Sequence, residues 1–257
     1  MSTPILMYHE VSSGGPPAAD VYASWTVTAA QFRQHLAALR DAGYVGVSVP
    51  RWQAGEGGAK PVVLTFDDGF AGNVENVIPA LAELGWSGTF FVISGKMGTE
   101  GYARPADWAE AFRLGMDVAS HTVTHPFAAL LPAREALREL ADSRAAIEDA
   151  AGAPVVGFSW PNGDAHREGH ALLKDAGYAW AATSLPAFAS RRSDPLALPR
   201  LPVRSWHDSE ALMALVGSGP ARRLRMLAEY RAKRAARALL GRRGYASLQR
   251  RISNDDR

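Results

Sequence analysis

Two short segments carry side chains whose types and spacing could do hydrolytic chemistry. The first is Val62-Val-Leu-Thr-Phe-Asp-Asp-Gly69, an apolar run that ends in two adjacent carboxylates and a glycine. Adjacent carboxylates permit a division of labour, because one can hold a cation while its neighbour remains a base. Asp and Gly are also common turn formers, so this segment alone reads equally well as a plain turn. The second is Val118-Ala-Ser-His121-Thr-Val-Thr-His125-Pro126. Its β-branched interior disfavours a helix, yet imidazoles at i and i+4 still share a face on extended backbone, which repeats every two residues. Such pairs are frequent metal ligands, with a hydrogen-bonded pair that binds nothing as the alternative. Together the segments offer two imidazoles and one carboxylate, the donor set of a hydrolytic zinc site with one open position.

The elements that must position these groups alternate along the chain. Ile5–Tyr8, Val45–Val49, Val62–Phe66, Thr89–Ile93, Met116–Ala119, Val155–Trp160 and Ala179–Thr183 read as strands, several of them apolar throughout. Such runs are expected where both faces of a parallel strand are covered. Between them lie helical patterns. Thr28 is placed to N-cap a helix with Phe32, Leu36 and Leu39 on one face, closed by Gly43. Pro79 opens a short helix that Gly85 ends, and Ala133–Ala151 forms a longer one stopped by Gly152. Repeated βα units predict an α/β fold, either a barrel or an open sheet. Seven or so strands are slightly few for an eightfold barrel.

The chain has 257 residues, of which 47% are hydrophobic and 21% charged, as in ordinary globular proteins. The absence of cysteine excludes disulfides, thiolate metal sites and a Cys nucleophile. The N-terminus lacks a basic region followed by a long apolar stretch, and no run approaches the roughly 20 apolar residues of a membrane span. A soluble, cytoplasmic protein is therefore expected. The net charge of +2 is unevenly spread: residues 1–219 carry −7 and residues 220–257 carry +9. Two segments with different partners are expected, a domain over 1–219 and a basic, amphipathic helical tail over 220–257. In the tail, Arg222, Arg223, Arg225, Arg231, Lys233, Arg234, Arg237, Arg242 and Arg243 alternate with Leu224, Leu227, Tyr230, Leu239 and Leu240. That pattern suits the anionic inner face of the cytoplasmic membrane, or else a solvated terminal helix. Nucleic acid is not expected, since the body is acidic and carries no recognition motif.

Thr65-Phe-Asp-Asp-Gly69 followed by His121-Thr-Val-Thr-His125 resembles the first two motifs of the polysaccharide deacetylases, the NodB-homology enzymes of carbohydrate esterase family 4. The resemblance extends from about residue 4 to 205 and includes Gly88-Thr-Phe-Phe-Val92. It implies an irregular (β/α)7-type barrel, with Asp67 as general base and Asp68, His121 and His125 as ligands. The implied ion is Zn2+ or another divalent metal such as Co2+, Ni2+ or Mn2+. The implied reaction is removal of N-acetyl groups from amino sugars such as N-acetylglucosamine, with an acetylated saccharide or a lipid-linked precursor as substrate.

Two departures from the family pattern matter. The third motif usually reads Arg-x-Pro-Tyr or Arg-x-Pro-Phe, whereas this chain has Ser159-Trp160-Pro161-Asn162-Gly163. Trp160, Pro161, Asn162 and Gly163 are expected at the substrate and oxyanion side, with the backbone N–H of Asn162 as the donor. The motif's arginine is missing. Arg200, in Leu198-Pro-Arg-Leu-Pro-Val203, is the candidate to orient the base in its place, against a surface arginine in a structural ion pair. A C-terminal Leu-x-His motif is also absent, while Leu6-Met-Tyr-His9 closes the first strand. This resembles the circularly permuted branch with the poly-N-acetylglucosamine deacetylases, and implies His9 as general acid. In a closed barrel the first and last strands are neighbours, so the permutation is physically reasonable.

Other residues carry weaker expectations. His166-Arg-Glu-Gly-His170 superficially resembles a zincin motif, but the Glu is one place late; it reads as the solvated start of a helix running to Gly177. His35 reads as a surface or packing residue. Trp25, Trp108 and Trp206 could stack on sugar rings, although core packing is the commoner role. Two other functions compete: a catalytically silent saccharide-binding module on the same fold, and a metal amidase for non-sugar amides.

Overall fold

The computed structural model describes residues 2–14, 23–163, 165–232 and 235. The chain enters through β1 (Ile5–Tyr8), followed by a small parallel pair, β2 (Val11–Ser12) and β3 (Val27–Thr28). It continues as β4 (Val45–Val47), β5 (Pro61–Phe66), β6 (Thr89–Val92), β7 (Asp117–Ser120), β8 (Gly157–Ser159), β9 (Trp180–Ala182) and β10 (Leu201–Pro202). The helices between and after the strands are α1 (Ala29–Asp41), α2 (Val49–Ala54), α3 (Ile78–Glu83), α4 (Pro105–Arg113), α5 (Ala133–Ala151), α6 (Gly169–Asp175) and α7 (Ser209–Val216).

All strand pairings of the main sheet are parallel, in the order β10-β1-β5-β6-β7-β8-β9. Val63 pairs with both Ile5 and Val47, and Thr65 with both Met7 and Thr89. One edge of β5 therefore carries β1 along its length, and the other carries β4 first and β6 after it. The sheet curls until its two ends meet one short stretch. Leu198 bridges to Ala182 of β9, and Leu201 of β10 pairs with Leu6 of β1. The expected α/β barrel, with helices outside a parallel sheet, is what the chain forms.

Alternation within the strands builds two cores. Leu6, Tyr8, Val62, Leu64, Phe66, Phe90 and Val92 face the helices, while Ile5, Val63, Phe91, Ala119, Trp180 and Ala182 face the barrel interior. This explains the continuous apolar runs, since both faces of each strand are buried. The helix signals read from the sequence hold as well. The Thr28 hydroxyl accepts the Gln31 N–H at 3.1 Å, and α5 ends on Gly152 in the left-handed region at φ 65°. The strand expected over Val45–Val49 stops at Val47, because Ser48 and Pro50 start α2. The helix expected to open at Pro79 is preceded by a π-helical stretch, Asn73–Val77.

One histidine expectation is settled as packing and another changes. His35 is fully buried in α1, between the Tyr8 hydroxyl at 3.2 Å from Nδ1 and the His207 carbonyl at 2.6 Å from Nε2. His166 is not solvated: it lies buried ahead of α6, where its Nδ1 accepts the Glu168 N–H at 3.0 Å. Of the basic tail, residues 220–232 are helical, and the rest lies outside the described residues apart from residue 235. No helix among the described residues is long and apolar enough to cross a membrane.

Candidate active site

Parallel strands present all their C-terminal ends on one side of the barrel, which is where sites of βα folds assemble. Asp67 and Asp68 leave β5 there, His121 leaves β7, Ser159 to Gly163 leave β8, and His9 leaves β1. The Asp67 N–H donates to the Tyr8 carbonyl at 3.0 Å, which ties the end of β5 to the end of β1.

Arg200, just ahead of β10, lies wholly inside the barrel and not on the surface. Its two terminal nitrogens donate to the two Asp67 carboxylate oxygens at 2.6 and 2.8 Å. The remaining donors reach Thr65 Oγ1 at 3.2 Å, Ser159 Oγ at 2.8 Å and the Thr183 carbonyl at 3.0 Å. All five guanidinium hydrogens are thus used, in the planar fork geometry that suits a carboxylate. Burial alone would push the Asp67 carboxyl up, but Arg200, helped by His121 and His9, outweighs it and holds the group down at about 2.

Asp68 behaves oppositely. Burial, reinforced by the charge of Asp67, pushes its carboxyl up to about 8. Its Oδ1 is buried with no hydrogen-bond partner, yet lies 3.5 Å from Nε2 of both His121 and His125. His121 donates through Nδ1 to the Ser159 carbonyl at 2.8 Å, so its Nε2 lone pair faces Asp68. Burial lowers both imidazoles, His121 to about 3, and keeps them neutral as ligands must be. The three donor atoms lie within 4.8 Å of one another. An unpartnered carboxylate oxygen facing two neutral imidazole nitrogens is the arrangement a divalent cation would complete, so the donor set fits the metal the sequence implies.

The loop bearing the histidines adopts two left-handed non-glycine residues, Thr122 at φ 69° and His125 at φ 57°. The Thr122 hydroxyl accepts the His125 N–H at 3.0 Å and donates to the His121 carbonyl, closing the turn.

His9 is half-buried, with its ring centroid 4.2 Å from that of Trp25. Its Nδ1 is buried and unpartnered, and burial lowers the ring to about 4 against the pull of Asp67. On the β8 side, Asn162 is left-handed at φ 59° and Gly163 at φ 69°. Trp160 contributes backbone only to this loop: its indole is buried against Phe158, with centroids 4.9 Å apart. Trp108 is likewise core. Trp25 and the exposed Trp206 both lie near Arg204, whose guanidinium carbon is 3.0 and 5.9 Å from their ring centroids. His35, His166 and His170 stand apart from this cluster; His170 pairs with Asp194 at 2.6 Å.

A family model described as polysaccharide deacetylase matches residues 54–181, a span that takes in both aspartates, both histidines and the third-motif loop. Over that span the chain carries a polysaccharide deacetylase domain. YxkH of Bacillus subtilis (strain 168), assigned as a polysaccharide deacetylase, is 29% identical over 220 residues, 84% of this chain and 76% of its own. Among solved structures, the polysaccharide deacetylase BC0361 of Bacillus cereus superposes with a TM-score of 0.75 at 24% identity, over 84% of this chain and 69% of its own. The Streptococcus pyogenes deacetylase PplD, solved with acetate, gives 0.74 at 24% identity over 84% and 98%. These structural likenesses speak to the fold. A domain of this family makes the chain a hydrolase.

Proposed function

We propose that this chain is a metal-dependent hydrolase that removes N-acetyl groups from the amino sugars of a saccharide and releases acetate. The observation that carries the reading is the split pair of carboxylates. Asp67 is kept ionised by Arg200, while Asp68 has a bare oxygen between two imidazoles. Asp68, His121 and His125 would hold the ion. A divalent ion held there would supply Lewis acidity for the acetyl carbonyl and for water. Asp67 takes the proton as water attacks, its carboxylate held in plane by the Arg200 fork. The backbone N–H of Asn162, at the left-handed turn after Pro161, is the donor for the developing oxyanion, an effect worth roughly 3–4 kcal/mol when well aimed. His9 protonates the departing nitrogen, because an amide anion is too poor a leaving group. His9 starts neutral, since burial holds its ring at about 4; the proton that Asp67 takes from water passes to His9, the more basic of the two groups, and from there to the nitrogen.

The retained base and donor set supports an enzyme over a silent saccharide-binding module, which requires neither. Acetate release is measured from N-acetylglucosamine oligomers, acetylated small amides and O-acetyl esters, with metal analysis on wild type and Asp68→Ala. The expected result is release from the oligomers, with loss of metal and activity together in the variant. Release from small amides alone points to the amidase, and a metal-bearing but inert wild type to the binding module.

The basic segment is proposed to hold the protein at anionic lipid on the cytoplasmic membrane face, where a lipid-linked saccharide would be met. Its described part supports this with a helix over 220–232 that leaves Leu224 exposed among arginines. Arg223 docks the helix to the body through the Ser218 carbonyl at 2.7 Å and the Phe188 ring. Vesicle flotation should separate the full chain from a version ending at Ser218 at low salt; equal partition removes the proposal.

A further inference from the structure

The loop that carries His121 and His125 is held from both sides by groups outside the site. On its carbonyl side, the Ser94 and Gly95 N–H groups donate to the Thr122 and Val123 carbonyls at 3.1 and 3.0 Å. A Cβ on Gly95 would stand 2.6 Å from the Val123 oxygen, so only glycine allows this approach. On its N–H side stands a single carboxylate, that of Glu139 from the middle of α5. Glu139 Oε2 accepts the N–H groups of Val123 and Thr124 at 2.8 and 3.0 Å. Its Oε1 accepts the Thr124 hydroxyl at 2.8 Å. Left-handed non-glycine residues are strained and persist only where the surroundings over-determine them. Thr122 closes the turn locally, and Glu139 fixes the two residues between the strained positions.

We propose that Glu139 is a positioning residue for the metal site, setting through Val123 and Thr124 the loop that presents His125 beside His121 and Asp68. The inference rests on reading those three residues as ligands. Two consecutive N–H groups converging on one anionic oxygen, with a hydroxyl on the other, form a charge-assisted clamp that a neutral side chain reproduces only in part. A glutamine at 139 keeps one acceptor oxygen for the two N–H groups but no negative charge, and its NH2 meets the Thr124 hydroxyl only if that hydroxyl turns round to accept. Groups that orient ligands from outside typically contribute 10–100-fold to metal affinity.

The test is a Zn2+ titration of the full chain against a chromophoric chelator, together with thermal unfolding of the metal-free protein. Glu139→Gln and Glu139→Ala are compared with wild type and with Arg138→Ala, an exposed neighbour on the same helix. The dissociation constant should weaken about 10-fold in Glu139→Gln and up to about 100-fold in Glu139→Ala. It should hold in Arg138→Ala, and metal-free Glu139→Gln should still melt cooperatively within a few degrees of wild type. Co2+ bound to Glu139→Gln should show an altered visible spectrum. Wild-type zinc affinity in both Glu139 variants overturns the proposal, as does weakening that only tracks lost metal-free stability. If neither Glu139 variant folds, Thr124→Val decides: weaker zinc binding supports the clamp and unchanged binding overturns it. A wild type that takes up no zinc fails the ligand reading itself, an outcome separate from one in which wild type binds and the Glu139 variants bind equally.

Discussion

The guanidinium of Arg200 grips both oxygens of Asp67, at 2.6 and 2.8 Å, with the arginine side chain wholly buried and the aspartate nearly so. Removing one partner of a buried pair leaves an uncompensated charge, which costs about 3–5 kcal/mol. Arg200→Met should therefore destabilise by about that much at pH 7. The sign with pH is distinctive. In wild type the Asp67 carboxyl sits below its unfolded value, so its contribution is full above about pH 4 and is lost as pH falls towards 2. Without the guanidinium, burial raises the carboxyl instead, and the variant weakens as pH rises. Urea unfolding should show the gap between the two proteins widening from pH 4 to pH 7. Arg200→Lys keeps the charge but loses the fork; it should fold, yet turn over about 10²-fold more slowly through a misdirected base.

His35 makes acid lability a property of the core behind the site. Burial lowers this ring to about 4, from its ordinary 6.5. Its contribution is full above pH 6.5 and is lost as pH falls through 4, because the unfolded chain takes up the proton first. His35→Gln, which keeps a donor for the His207 carbonyl, should flatten the stability slope across that window by about 1.4 kcal/mol per pH unit. An unchanged slope, read from urea midpoints at several pH values, would count against it.

His9→Ala should lower turnover on acetylated oligomers by about 10²- to 10⁴-fold, the usual range for a general acid or base. Bound metal should be unchanged, since His9 lies outside the Asp68, His121 and His125 group. Metal loss in proportion to activity would make it a ligand instead.

Asn162 separates backbone from side chain in oxyanion binding. At φ 59° it occupies a conformation glycine adopts freely, so Asn162→Gly should keep both stability and turnover, the donor being the N–H. Asn162→Val strains the same turn and should cost about 1–3 kcal/mol. A collapse of turnover in Asn162→Gly would assign the role to the amide side chain.

The residues after β5 and β7, and the strands that carry them, were legible because their signals are local: a buried run, a carboxylate pair, two imidazoles at fixed spacing. Helix caps at Thr28 and Gly152 were legible for the same reason. What stayed open or was missed depends on partners far along the chain. Arg200 was readable as base-orienting or as a surface arginine, and no local signal decides between them because it meets Asp67 across 133 positions. His35 and His166 sit in stretches whose local pattern reads as polar, yet both rings reach carbonyls far along the chain, those of His207 and Leu131. Trp160 looked like a sugar contact from its place in the motif, but alternation along β8 turns its ring into the core. Glu139 reads as one more charge on an amphipathic helix, and only the folded loop reveals its acceptors.

The stretch from Leu198 to Pro202 joins the two edges of the curled sheet, and Arg200 lies within it. Fastening and catalysis thus share the same few residues. If the clasp springs open while the other strands stay paired, the base loses its counter-ion and takes up a proton. Heat inactivation should then run ahead of the loss of secondary structure, making activity the earliest reporter of a loosened seam.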